Sequence, residues 1–132
     1  MNDIQVVVEV EVNPTENLEK VKEAIINLFP TATIDVRFGG RKSLLIATTD
    51  GINGLTEVYG NLRQERILAV ARRVFRRGTR GKYIIFYLNK QVAYAQRISF
   101  CDPFGESPLG SIQVKIKCDD PSAIIEWLTR VR

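Results

Sequence analysis

The sequence predicts an α+β fold, a two-layer sandwich in which helices cover one face of a largely antiparallel sheet. Two observations carry that reading. Strand-length segments alternate apolar and polar side chains with period two, so each buries a single face, and helix-length segments carry one apolar stripe. The second face of such a sheet is left to solvent or a partner. A chain of 132 residues and 15.0 kDa is near the commonest domain size, so a single domain over residues 1–132 is expected.

The elements follow in order. Ile4, Val6, Val8, Val10 and Val12 share one face of a first strand against Gln5, Glu9, Glu11 and Asn13, with Val7 the exception. After the start signals in residues 13–17, Leu18, Val21, Ile25 and Leu28 keep helical spacing until Pro30, predicting a helix over 16–29. Ile34, Val36 and Phe38 alternate in a second strand, which residues 39–42 turn into a third at 43–49. Residues 55–77 are helical in pattern, with a break or kink expected at 60–63 because Gly60 and Asn61 are weak helix formers. Residues 83–89 read as a strand apolar on both faces, hence central, and Ile98 and Phe100 as a further strand. Residues 90–96 fit either a helical turn or an extension. Residues 102–110 are dense in Pro and Gly and read as a loop, while Ile112, Val114, Ile116 and Cys118 alternate in the last strand. Asp119, Asp120 and Pro121 start a closing helix with the stripe Ile124, Ile125, Trp127, Leu128 and Val131. The phase puts Cys118 in the core and Cys101 facing away, which argues against a disulfide between them.

Composition excludes much chemistry. The chain contains no histidine, which removes His-activated nucleophiles and the usual zinc sites. Asp102, Glu106 and Ser107 gather in one loop, but no base is present to activate the serine, so no enzyme and no cofactor are expected. The longest apolar run, residues 83–88, is too short to span a membrane, and the amino terminus lacks the pattern of a signal peptide. A cytoplasmic protein with no membrane partner and no small-molecule substrate is the expectation.

Charge is distributed unevenly. Arg63, Arg66, Arg72, Arg73, Arg76, Arg77, Arg80 and Lys82 face a single acid, Glu65, within residues 63–82, a local balance of +7 on a chain whose total is +4. On one continuous helix, Arg66, Arg72, Arg73, Arg76 and Arg77 lie opposite the arc of Ile67, Leu68, Val70, Ala71, Val74 and Phe75. Arg66, Arg73 and Arg77 then form a stripe over ~16 Å of axis, suited to two or three backbone phosphates. A face placed for solubility alone would mix signs and favour lysine; arginine is the better fork for phosphate oxygens. The loops at 78–82 and 39–43 are basic, though their glycine spacing is not that of a Walker loop. Tyr83, Tyr87 and Tyr94 could stack on bases, but aromatics in a central strand are more often core.

Two stretches carry a resemblance. Residues 62–68, Leu-Arg-Gln-Glu-Arg-Ile-Leu, with Ala71 and Arg72, and residues 86–94, Phe-Tyr-Leu-Asn-Lys-Gln-Val-Ala-Tyr, leading to Ser107-Pro108-Leu109-Gly110, resemble an uncharacterised archaeal family classed as predicted RNA-binding. Its fold is similar to that of the ribosomal protein that binds 5S RNA, and the similarity covers essentially the whole chain. Ala69 replaces an expected acid, and Asn17-Leu18 an expected acid and proline. The resemblance implies an archaeal, cytoplasmic, non-enzymatic protein near RNA processing, and supplies no catalytic residues. In the Asn89, Lys90 and Gln91 segment, Asn89 either caps a short helical turn, or the amide and ammonium groups contact RNA. RNA is the expected partner of the arginine face. The alternative is a protein-interaction module, a homodimer on the open sheet face or a complex with an acidic protein.

Overall fold

The computed structural model describes residues 3–102 and 110–131. Six strands, β1 (Gln5–Val12), β2 (Thr33–Gly39), β3 (Lys42–Asp50), β4 (Thr79–Arg80), β5 (Tyr83–Asn89) and β6 (Ser111–Lys117), form one antiparallel sheet in the order β2-β3-β1-β6-β5-β4. The period-two pattern sets the register. Val8 lies opposite Ala47 on one side and Val114 on the other, and all three are buried. A slip by one residue would turn these side chains out and bring Glu9 in, so the valine alternation allows one pairing.

Five helices complete the mixed α+β layers: α1 (Leu18–Leu28), α2 (Thr56–Gln64), α3 (Leu68–Arg77), α4 (Lys90–Tyr94) and α5 (Pro121–Thr129), with a 3-10 turn at Ile52–Leu55. Their buried residues, among them Ile25, Val58, Phe75 and Leu128, form one core with the apolar face of the sheet. The opposite face carries half-buried Val7, Ile46, Ile85 and Tyr87 among Glu9, Glu11, Lys115 and Lys117. Phe75 packs against Phe86 and Phe100 at ring-centroid distances of 4.8 and 5.6 Å, which ties α3 to β5.

Local chemistry explains the helix ends. The Asn17 side chain accepts from the amides of Glu19 and Lys20, and that of Asp120 from Ala123, with Pro121 in the first turn of α5. Gly40 takes φ +58 at the β2–β3 turn, where a side chain would be strained.

Several expectations need correction. The helical stretch does not break at 60–63: α2 runs through Gly60 and stops at Gln64. The amide of Ile67 donates to the Leu62 carbonyl and that of Arg66 to Arg63, while Arg66 itself adopts φ +60. This is the Schellman termination, with arginine at the left-handed position that glycine normally fills. Arg66 is therefore outside α3 and does not continue its stripe. Nor is β5 central; it pairs fully with β6, but on its other side only with the two-residue β4 and, through an isolated Leu88–Phe100 bridge, with the segment expected to form a strand. Within residues 90–96, Lys90–Tyr94 form the short helix α4 and a turn follows. Cys118 is buried and Cys101 half-buried, with no disulfide between them. Residues 103–109 of the expected loop lie outside the described residues.

Candidate nucleic-acid interface

The basic segment sorts into two groups when each guanidinium is followed to its partners. Arg63, in the last turn of α2, donates from Nη1 to the carbonyls of Tyr59 and Leu128, both at 3.0 Å, and from Nη2 to that of Arg130 at 2.8 Å. Its guanidinium also lies 3.5 Å from the centroid of the Tyr59 ring, which itself stacks on Trp127. Arg72 donates from Nε to the Thr129 hydroxyl at 3.1 Å and from Nη2 to the Thr129 carbonyl at 3.3 Å, with Glu126 at 3.7 Å. Both are half-buried. α5 ends without glycine, and these two arginines satisfy carbonyls at its carboxyl end, where cations also suit the helix dipole. They are joints of the fold.

Arg73, Arg76 and Arg77 form the second group. All three are exposed on the outer arc of α3, and among the described residues none of their guanidinium groups has a hydrogen bond or ion pair. The inner arc is held by Ala71 and Phe75, both fully buried, so packing fixes which way the arginines face. α3 contains no acid. Arg80 follows, exposed, with Nη1 bonded to the carbonyls of Arg77 and Thr79 at 2.7 and 2.8 Å, which folds the chain back over the end of α3. Arg66 stands exposed before the other end of α3, and the neighbouring acid Glu65 is taken up by Arg97, at 2.8 and 3.0 Å. Lys82 is exposed and shares its charge with Asp119 at 3.6 Å.

The end of α3 is positioned through backbone. The Gly78 carbonyl accepts from the Ile85 amide at 2.9 Å, and a Cβ at residue 78 would overlap the Ile85 carbonyl oxygen. Only glycine lets α3 approach β5 this closely. Beside this junction lies an open cleft of about 430 Å³ lined by Val74, Arg77, Arg80, Ile85, Tyr87, Cys101 and Asp102 among others. The both-faces-apolar pattern of β5 reflects this cleft: Ile85 and Tyr87 face it and the open side of the sheet instead of a second layer.

The Asn89, Lys90 and Gln91 segment separates residue by residue. Asn89 caps α4, its side chain accepting from the Val92 amide at 3.1 Å. Lys90 is 1% exposed; its ammonium donates to the Glu11 carbonyl at 2.6 Å and to Glu16 Oε1 at 3.0 Å. Glu16 also accepts from the Tyr94 hydroxyl at 2.8 Å and from the Asn13 backbone amide at 3.0 Å. Burial pulls the Glu16 carboxyl up, but these hydrogen bonds outweigh it and hold the group below its ordinary range. Burial, with the adjacent carboxylate, pushes Tyr94 up to about 12. Gln91 is exposed. Tyr94 is thus tied into the fold, Tyr87 is half-buried, and Tyr83 sits exposed with Lys115 5.5 Å from its ring centroid. Among the described residues no cluster suited to a metal ion is found, and no helix is long and apolar enough to cross a membrane. Of the Asp102, Glu106 and Ser107 loop trio, only Asp102 is among the described residues.

The chain as a whole is similar to known proteins. A family model described as RNA binding matches residues 5–118. A UPF0201 protein of Sulfurisphaera tokodaii is 42% identical over 125 residues, covering 95% of this chain and 86% of that one. One from Thermococcus kodakarensis is 39% identical over 124 residues, covering 94% and 88%. The crystal structure of a UPF0201 protein from Methanococcus jannaschii superposes with a TM-score of 0.83 at 32% identity, covering 95% of this chain and 98% of that one. A protein from Sulfolobus solfataricus, 16% identical, shares the fold with a TM-score of 0.73 over 95% and 96% of the two chains.

Proposed function

The chain belongs to this RNA-binding family, and from that premise we propose that it binds RNA without catalysis, through a ridge made of Arg73, Arg76, Arg77 and Arg80, with Arg66 as a separate exposed cation ahead of α3. The observation that carries the reading is the trio Arg73, Arg76 and Arg77: exposed on one acid-free helix face and, among the described residues, uncommitted to any internal partner. Unpaired like charges on adjacent turns repel one another, so a ligand that brings negative charge to them is favoured. The guanidinium fork matches phosphate oxygens in two-point geometry. Contacts of this kind read backbone and shape ahead of base sequence.

Arg63, Arg72 and Lys90 leave the RNA-facing set, because each is held by partners within the fold, and Asn89 leaves it as a helix cap. Lys82, loosely held by an exposed carboxylate, and Gln91 stand at its margin. The test is to measure binding of structured and single-stranded RNA by the wild type and by the double variant Arg73→Glu, Arg77→Glu. Both positions are exposed, so the variant folds, and affinity drops at least a hundredfold at 50 mM salt if two phosphate contacts become repulsions. Unchanged affinity would remove the ridge as the RNA contact and leave its arginines to an acidic protein.

A further inference from the structure

We infer that the cleft beside the ridge seats one unpaired nucleobase, guanine in preference to the others, an inference that rests on RNA being the ligand of the ridge. The cleft opens where the edge of the sheet is incomplete. β4 covers β5 only at Tyr83 and Ile84, and the next cross-strand partner is Phe100, opposite Leu88. Between them Gly78 leaves the sheet to join α3, and the space of about 430 Å³ lies within the ~300–1,000 Å³ of small-molecule sites.

Its lining suits a base. Val74 and Ile85 provide apolar wall and Tyr87 an aromatic ring, the surfaces on which any base can pack its flat face. Arg77 and Arg80 stand on the same lining, so the cleft is contiguous with the phosphate-binding ridge and a nucleotide can place its phosphate on one and its base in the other. Arg73 lies one turn from Arg77, ~6 Å along the axis, comparable to the step between successive phosphates. Among the described residues, Asp102 is the one carboxylate of the lining. An ionised carboxylate only accepts hydrogen bonds, and guanine is the base whose pairing edge presents two adjacent N–H donors, N1–H and N2–H, to its two oxygens. Adenine and cytosine each present one donor beside an acceptor that a carboxylate repels. A base held in a duplex has that edge occupied, so the inference concerns loops, bulges or single strands.

The test uses the full chain and uridine heptamers whose central residue is guanosine, uridine or abasic. The expected result is that the guanosine heptamer binds about tenfold tighter than the abasic one, the order of one stacked and hydrogen-bonded base. Asp102→Asn removes the guanosine preference, read within the variant as the ratio of guanosine to abasic affinity, which falls to about one whatever the change in overall RNA affinity. Cys101, half-buried on the lining, supplies a second readout: saturating guanosine heptamer slows its alkylation by N-ethylmaleimide, located by mass spectrometry, while Cys118, 3% exposed, stays unlabelled. Equal affinity for the guanosine and abasic heptamers, with Cys101 alkylation unslowed, overturns the base seat and leaves the ridge standing, since those heptamers still bind and still lose affinity in Arg73→Glu, Arg77→Glu. If guanosine and uridine heptamers both outbind the abasic one equally, the guanine preference fails. Absence of binding by any heptamer or structured RNA fells ridge and cleft together.

Discussion

Arg66 occupies a backbone position that disfavours it. A non-glycine residue in the left-handed region costs on the order of 1 kcal/mol, and at the end of α2 glycine would form the same termination without that cost. Arg66→Gly should therefore raise stability by about 0.5–1 kcal/mol in chemical denaturation while weakening RNA binding severalfold, a loss of function coupled to a gain of stability. Equal binding by the variant would assign Arg66 to no functional role. Lys90 makes the opposite case, a cation wholly committed to the fold. Removing one member of a buried ion pair leaves the other unpaired, so Lys90→Met should cost about 3–5 kcal/mol. Because the folded-state Glu16 carboxyl titrates below its ordinary 4.5, its contribution is complete above that pH and is lost as pH falls through the lower, folded value. Denaturation midpoints of wild type and Lys90→Met should thus lie far apart at pH 7 and converge toward pH 3.

At the scale of elements, what was legible in the chain was local. Valine alternation placed β1 and its buried face, residues 119–121 placed the start of α5, residues 13–17 bracketed the start of α1 without singling out Asn17, and the clustering of arginines marked α3. What was hidden depends on partners distant in sequence. Nothing near Arg63 or Arg72 reveals that their guanidinium groups serve carbonyls of a helix some sixty residues later, although the missing glycine after α5 was a signal that something else must cap it. The commitment of Lys90 to Glu16 is equally non-local. The helix break was misplaced because Gly60 lowers helix propensity without compelling an end, whereas the hydrogen bonds of Ile67 and Arg66 do compel one. The α3–β5 junction gives a sharp element-scale expectation. Gly78→Ala drives a methyl group into the Ile85 carbonyl, and should destabilise by about 3 kcal/mol while disordering the arginine end of α3. A variant as stable as wild type, by thermal and chemical denaturation, would show that the junction can shift without penalty.

The molecule as a whole is electrically polarised. Its net +4 combines a strongly basic element with a body that is net negative, so approach of a polyanion is steered to one side. With about five phosphates neutralised, affinity for RNA should fall roughly 10²- to 10³-fold between 50 and 200 mM salt. A flat salt response in filter-binding or anisotropy titrations would contradict a phosphate-led complex. The open sheet face contributes less, since Lys115 and Lys117 share it with Glu9 and Glu11.

The seating of α3 on β5 by main chain against main chain fixes the carboxyl end of that helix on the sheet. Its row of cations is consequently a ruler cut before any ligand arrives, and only side-chain rotamers remain to be ordered on contact, at ~0.5–1.5 kcal/mol apiece. An RNA whose phosphates match the graduations meets a template already made, whereas one of different curvature has to bend itself to fit.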